Sequence, residues 1–132
     1  MKKFLLILSI IPLLLLGGCY QDSPLSVLES PPHCTLVSVQ EVDGSAYSFA
    51  KFIVTVKNDG GGGSTAYNVG CMVKLKNGNY IVETETGYFG TLGDGESTSD
   101  EILFSNIKTK ADYQTMDINF YWWDSQDGYY QN

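Results

Sequence analysis

The chain contains no arginine and a single histidine among its 132 residues. Without arginine, the planar guanidinium that binds phosphate or carboxylate through two parallel hydrogen bonds is missing. The net charge is −7, with 15 acidic residues against 8 lysines, so the sequence offers no basic patch that would release counterions from nucleic acid. These absences argue against nucleic acid as a partner. The acidity is typical of a protein kept soluble by its charge.

The scarcity of histidine and cysteine also argues against a catalytic or metal centre. His33 has no obvious nucleophile or orienting carboxylate beside it in sequence, and we interpret it as an exposed linker residue. Acidic turns at residues 94–96 and 124–128 offer oxygen ligands for calcium, but neither matches an EF-hand loop, and ordinary turn roles are favoured. We therefore predict no catalytic residue, no metal and no cofactor.

The N-terminal residues have the pattern of a secretory signal. Lysines at positions 2 and 3 precede an apolar run from 4 to 16, which is too short to span a bilayer comfortably and has the length of a signal-peptide core. The motif Leu16-Gly17-Gly18-Cys19 follows directly. It resembles the lipobox of prokaryotic lipoproteins.

That resemblance implies cleavage before Cys19 and attachment of acyl chains, palmitate among them, to this residue. Residues 1–18 are then the lipoprotein signal peptide, and the mature protein is held outside the cytoplasm on the cell membrane or the outer membrane. At least two acyl chains are needed for durable anchoring. An ordinary cleaved secretory signal is the alternative.

Two regions follow the signal peptide. Residues 19–32 are rich in Ser, Pro and acidic residues and are expected to form a flexible stalk. Residues 33–132 are long enough for one domain with its own core. The remaining cysteines, Cys34 and Cys71, leave two alternatives open, a disulfide or two buried free thiols.

The domain reads as a series of short β-strands. The clearest alternation is in residues 47–58, where Phe52, Val54 and Val56 share one face. Asn77-Gly78 is a strong hairpin signal. The predicted strands are 35–42, 47–58, 65–76, 79–89, 96–104, 115–123 and a short seventh at 129–130.

About seven short strands with regularly spaced turns predict an all-β fold, an immunoglobulin-like antiparallel β-sandwich. A small up-and-down barrel is the second choice. In the third strand, Tyr67 and Cys71 are expected to face the core together with the valines between and after them. Tyr113 lies near the position of an immunoglobulin tyrosine corner.

Two segments carry a resemblance to known families. Residues 53–60 end in Val56-Lys57-Asn58-Asp59-Gly60 and are followed by an Ala-Tyr-Asn-Val start, and residues 90–97 read GTLGDGES. Together they resemble the CARDB family and the related FxLYD-type domains of bacterial and archaeal surface proteins. The resemblance covers about residues 35–130. It implies an immunoglobulin-like sandwich used for adhesion, scaffolding or accessory binding, and it implies no catalytic residue.

The C-terminal aromatic residues are the best candidates for a binding surface. If Trp122 is buried, Tyr121 and Trp123 face outward, close to Tyr129 and Tyr130. Cross-strand aromatic pairing that only stabilises the sheet is the alternative.

These observations predict a non-catalytic envelope lipoprotein. It would be anchored to the membrane at Cys19 and present its domain to a protein partner in the envelope. A carbohydrate-binding module that uses the region of Trp123 and Tyr129 to bind polysaccharide is the second hypothesis, and an envelope hydrolase is the third.

Overall fold

The structure, a computed structural model, describes residues 30–42, 49–107, 110–125 and 128–132. The predicted signal peptide, Cys19 and the stalk up to residue 29 lie outside the described residues. The part of the chain that is described holds one helical element, the 3₁₀ turn Lys110–Asp112, and contains no helix of the length and apolarity needed to cross a bilayer.

Seven antiparallel strands form two sheets packed face to face. The strands are β1 (Cys34–Val42), β2 (Ala50–Asn58), β3 (Ala66–Asn77), β4 (Tyr80–Leu92), β5 (Ser97–Phe104), β6 (Thr115–Trp123) and β7 (Tyr129–Gln131). One sheet has the order β1-β2-β5 and the other the order β4-β3-β6-β7. The predicted all-β antiparallel sandwich of seven strands is confirmed.

The strand order resembles that of an immunoglobulin constant domain except at one strand. In that fold the first, second and fifth strands share a sheet, as do the third, sixth and seventh, and the fourth strand pairs with the fifth. Here β4 pairs with β3 over nearly its whole length instead. The second sheet therefore has four strands and a broad outer surface.

The core lies between the sheets and follows from the period of two along each strand. In β2, Phe52, Val54 and Val56 are buried and their neighbours are half-exposed. The ring of Phe52 packs edge-to-face against Phe104 at 5.6 Å and against Tyr113 at 6.0 Å. Such aromatic pairs add to the stability that burial itself provides.

Tyr67 does not face the core as predicted, because a β-bulge interrupts β3. The pairing of β3 with β4 shifts between Ala66 and Val69, and Asn68 takes a positive φ of 51°. An extra residue in a strand exchanges the inward and outward sides for the strand residues that precede it. Tyr67 is consequently exposed, whereas Val69 and Cys71 face inward as predicted.

Asn58 ends β2 with a fully buried side chain that fastens three segments. Its Nδ2 donates to the backbone carbonyls of Ser64 at 3.0 Å and Leu92 at 3.1 Å. Its Oδ1 accepts from the backbone N–H groups of His33 and Gly60, both at 3.2 Å. Every bonding position of the amide is thus used within the domain, as a buried polar group requires.

The end of the predicted stalk belongs to the folded domain. Pro32 is buried, and its carbonyl accepts a hydrogen bond of 2.9 Å from the indole Nε1 of Trp122. A Cβ at Gly60 would lie 2.5 Å from the Pro31 carbonyl oxygen, so only glycine allows this close approach. Composition predicts that the domain begins at residue 33, and the structure shows that Pro31 and Pro32 already pack against it.

Of the two alternatives for Cys34 and Cys71, the structure has the free thiols. They lie in opposite sheets, and both side chains are fully buried. Burial, with a smaller effect of Asp59, raises the pKa of Cys34 to about 12, and burial raises the pKa of Cys71 to about 11. Both groups thus stay protonated and pack as small hydrophobic side chains.

Candidate functional site

The outer surface of the four-stranded sheet carries a cluster of aromatic side chains, which we call the aromatic face. Two of its rings come from the alternation along β6. Phe120 and Trp122 are buried, so Tyr121 and Trp123 point outward. The bulge in β3 and the alternation in β4 add two more rings. The aromatic face consists of Tyr67, Tyr88, Tyr121, Trp123 and Tyr129.

Strand pairing arranges these rings in two adjacent rows. Tyr67 of β3 is the partner of Trp123 in β6, which is in turn the partner of Tyr129 in β7. In the next row, Gly70 of β3 lies between Tyr88 of β4 and Tyr121 of β6. Five aromatic residues from four strands therefore share one surface.

The rings contact one another at steep angles. The centroid of Trp123 lies 5.0 Å from that of Tyr129 at an interplanar angle of 60°, and 6.1 Å from that of Tyr121 at 84°. Trp123 and Tyr121 are half-buried by these contacts, whereas Tyr88 and Tyr129 are 62% and 54% exposed. The surface is thus made of fixed, tilted rings rather than one flat platform.

Gly70 is required for this arrangement. A Cβ built on Gly70 would lie 2.4 Å from the Cζ and hydroxyl oxygen of Tyr121, closer than real Cβ contacts allow. The Tyr121 ring therefore lies directly over the backbone of β3. Any side chain at position 70 would push it away.

The aromatic face is uncharged, although the chain as a whole is acidic. Around the five rings, the outward positions of the described strands hold amide, hydroxyl and thioether groups and no Lys, Asp or Glu. The Tyr88 hydroxyl donates to Asn68 Oδ1 at 3.2 Å. The first charged pair in this sheet is Lys74 opposite Asp117, one row beyond Met72. The non-aromatic outward positions are Asn68, Gly70, Met72, Thr86, Asn119 and Gln131.

Tyr130 does not join the surface to which the sequence assigned it. It is the strand partner of Trp122, so it faces the core side and stacks on that ring at 5.9 Å and 7°. Its hydroxyl donates to Asp124 Oδ2 at 2.9 Å, and this bond raises the pKa of Tyr130. Of the four predicted residues, Tyr121, Trp123 and Tyr129 come together.

The acidic side chains of the two turns accept hydrogen bonds from backbone N–H groups of glycines. Asp124 Oδ1 accepts from the Gly128 N–H at 2.8 Å, and residues 126 and 127 lie outside the described part of the chain. Asp94 Oδ2 accepts from the Gly63 N–H at 3.1 Å, and Glu96 Oε2 accepts from the Gly93 N–H at 2.7 Å. Within the described ranges, no three His, Cys, Asp or Glu side chains come close enough to hold a metal ion.

His33 is partly exposed and has a structural setting. Its Nδ1 lies 2.8 Å from Asp59 Oδ1, and the Thr35 hydroxyl donates to Asp59 Oδ2 at 3.1 Å. The hydrogen bond from His33 is the main reason that the pKa of Asp59 is lowered. Because the hydroxyl bonds the carboxylate rather than the imidazole, this is not the geometry of an activated nucleophile. The cluster fastens the start of β1 to the end of β2.

Comparisons with known proteins add little to this description. No family model matches the chain, and no curated protein matches it either. Among solved structures, the chain is similar to a crystal structure of a Bordetella pertussis protein bearing the name ApaA, with 11% sequence identity. The likeness covers 78% of this chain and 89% of that chain at a TM-score of 0.47. The fold therefore rests on the strand pairing given above.

Proposed function

We propose that this protein is a lipid-anchored, non-catalytic component of the cell envelope whose immunoglobulin-like domain binds a protein partner through the aromatic face. The observation that carries the proposal is the aromatic face itself, because it gathers five rings whose neighbouring outward side chains carry no charge. Large exposed apolar patches mark interaction sites.

The tilt of the rings favours a protein over a polysaccharide. A sugar chain that stacks on aromatic side chains needs open ring faces, whereas Trp123 is half-covered by Tyr121 and Tyr129 at angles of 84° and 60°. Tyrosine and tryptophan with amide neighbours are typical of protein-binding surfaces, since they supply contact area at low conformational cost. Polysaccharide remains the second hypothesis and is an outcome of the test below.

The anchor is supported by the motif that ends at Cys19. Ten residues separate it from Ser30, where the described chain begins. The composition of the stalk predicts a flexible linker, for which this length gives an end-to-end distance of about 17 Å. The domain would then work close to the surface of the cell membrane or the outer membrane, at a high local concentration relative to other anchored proteins.

The resemblance to the CARDB and FxLYD-type domains fits the same function. In those families the shared residues are structural, and here Asn58 and the glycines of the 90–97 segment fill structural positions, with positive φ at Gly90 and Gly95. An accessory binding role is what that resemblance implies.

Affinity purification of the tagged full chain from cross-linked cells tests the binding surface. We expect a dominant protein to co-purify with the wild type and to be lost with Tyr129→Ala. Tyr80→Ala is the matched control, since Tyr80 is 82% exposed at the far hairpin. Recovery of polysaccharide in place of protein would move the second hypothesis to first place, and equal recovery with both variants would contradict the proposed surface.

Fractionation of cells tests the anchor. The wild-type chain should sediment with membranes and gain the mass of its acyl chains, and Cys19→Ser should release it to the soluble fraction. A Cys19→Ser chain that stays with the membrane would show that something other than lipid holds it there.

A further inference from the structure

Charge is spread unevenly over the two outer sheet surfaces. The surface of the three-stranded sheet carries ionic groups, among them the ion pair of Lys51 with Glu101. The side chains of the aromatic face carry none, in a chain whose net charge is −7. At its β4 edge, the Asp100 carboxylate of β5 accepts a hydrogen bond of 2.9 Å from the Tyr88 backbone N–H. Two copies of an acidic protein repel each other over most of their surfaces, so an uncharged surface is where they can meet at least cost.

We propose that the partner of the aromatic face is a second copy of this chain, in a two-fold dimer with the β4-β3-β6-β7 sheets packed face to face. This rests on the proposed function for the role of the face and of the anchor. A closed two-fold dimer uses the same surface on both copies. Face-to-face sheets pack in this aligned way within sandwiches as well.

The register of the sheet decides which residues of the two copies would face each other. A two-fold axis parallel to the strands and midway between β3 and β6 sets β3 of one copy opposite β6 of the other. Gly70 then lies opposite the second copy's Tyr121, and Met72 opposite its Asn119, because these are cross-strand partners within one sheet. Within each copy the Tyr121 ring covers Gly70, so the Tyr121 rings of the two copies face each other across the axis.

The same axis pairs opposite charges at the edge of the interface. Lys74 and Asp117 are cross-strand partners within one sheet, on the two sides of the axis. Each Lys74 therefore stands over the Asp117 of the other copy, and the contact is made twice. Within its own chain, Asp117 also pairs with Lys76. Like charges do not face each other in this arrangement.

The direction of the axis suits two anchors in one membrane. Ser30 lies beside the loop that joins β2 to β3, since a Cβ on Gly62 would be 3.2 Å from the Ser30 nitrogen. An axis parallel to the strands keeps both Ser30 residues at the same end of the dimer. An axis perpendicular to the strands and parallel to the sheet would put the two Ser30 residues at opposite ends of the dimer.

The dimer should be weak in solution. The aromatic face and its polar neighbours number fewer than the roughly 20–30 residues per side of a standard interface. Anchoring raises the local concentration of one copy near another, so a weak contact suffices at the membrane.

Photo-cross-linking of the full lipidated chain in cells tests the geometry. With Tyr88 replaced by p-benzoylphenylalanine, we expect a product of twice the chain mass, joined to residues 129–132 of the second copy. The same replacement at Leu103, exposed on the other sheet, should give no such product. A product with a different protein would overturn the second copy and leave the proposed function standing.

Charge reversal provides an independent measurement on the purified full chain in density-matched detergent. Lys74→Glu should raise the dimer dissociation constant about tenfold, because it sets like charges opposite each other twice. Adding Asp117→Lys should restore most of the affinity, with thermal melting as the folding control. A chain that stays monomeric at all concentrations, or a Lys74→Glu chain that dimerises like the wild type, would overturn the dimer. If the purification described above still recovers a Tyr129-dependent partner, the proposed function survives.

Discussion

Replacing Asn58 by alanine removes the side chain that holds together the end of β2, the loop after it and the start of β1. The amide donates to two buried carbonyl groups and accepts from two part-buried N–H groups. Losing a partner costs a buried group about 1 kcal/mol and a part-buried group about half of that. The sum predicts that Asn58→Ala lowers the free energy of unfolding by about 3 kcal/mol.

Urea denaturation of the mature chain measures this loss directly, and thermal melting should show a midpoint lower by about 15 °C for a domain of this size. The matched control is Asn79→Ala, since Asn79 is exposed in the turn after β3 and should change stability by less than about 0.5 kcal/mol. If Asn58→Ala loses less than about 1 kcal/mol, the side chain does not fasten these segments.

A second substitution separates the two halves of the network. Asn58→Asp keeps an oxygen for the two N–H groups but turns a carboxylate oxygen toward the carbonyls of Ser64 and Leu92. It should therefore destabilise at least as much as Asn58→Ala at neutral pH. A mild effect of Asn58→Asp would indicate that the two carbonyls do not depend on the amide.

Three further predictions follow from close contacts. Gly70→Ala should cost about 1–3 kcal/mol in urea denaturation and weaken partner recovery, because the new methyl group displaces Tyr121; wild-type stability would contradict the packing. Folding lowers the pKa of Asp59 below its ordinary value of 3.8. The ionised carboxylate therefore stabilises the fold fully above pH 3.8, and this stabilisation is lost as the pH falls from there through the folded-state pKa. Between about pH 5 and pH 2, the free energy of unfolding should therefore fall less steeply for Asp59→Asn than for the wild type. Parallel pH profiles of the two chains would refute this. Cys34 and Cys71 should resist a thiol reagent at about pH 8 until the chain unfolds, because burial raises both pKa values; rapid labelling of the native protein would refute their burial.

Strand positions could be predicted from the sequence because most strands are half-buried. Alternation and turn residues then mark both the strand and its inward side, and the predicted 115–123 coincides with β6. The predicted third strand is displaced from β3 by one residue at each end. The residues of one strand were enough to predict these elements, because apolar side chains alternate with polar ones according to which side of the sheet is buried.

Pairing between distant strands could not be predicted in this way. The Asn77-Gly78 signal indicates that β4 lies beside β3, but that β6 lies on the other side of β3 depends on contacts far apart in sequence. Tyr88 was therefore missed as a surface residue, although its alternation with the buried Phe89 is visible in the sequence. Tyr67 was placed wrongly because nothing in the pattern marks the bulge at Asn68.

The candidate surface was partly predicted for the same reason. Tyr121 and Trp123 follow from the burial of Trp122, which alternation in β6 indicates. The facing of Tyr130 depends on the register between β6 and β7, in which it is the partner of Trp122. The pattern of two adjacent tyrosines does not reveal which of them faces outward.

Hydroxyl-radical footprinting of the full chain tests the central claim, that the aromatic face is a binding surface in the envelope. Oxidation would be read residue by residue by mass spectrometry, in native membranes and in the purified chain at high dilution. We expect Tyr88, Trp123 and Tyr129 to be oxidised several-fold less in the membranes, with Tyr80 equally reactive in both. Equal oxidation of all four residues in both states would mean that nothing covers the aromatic face where the protein works.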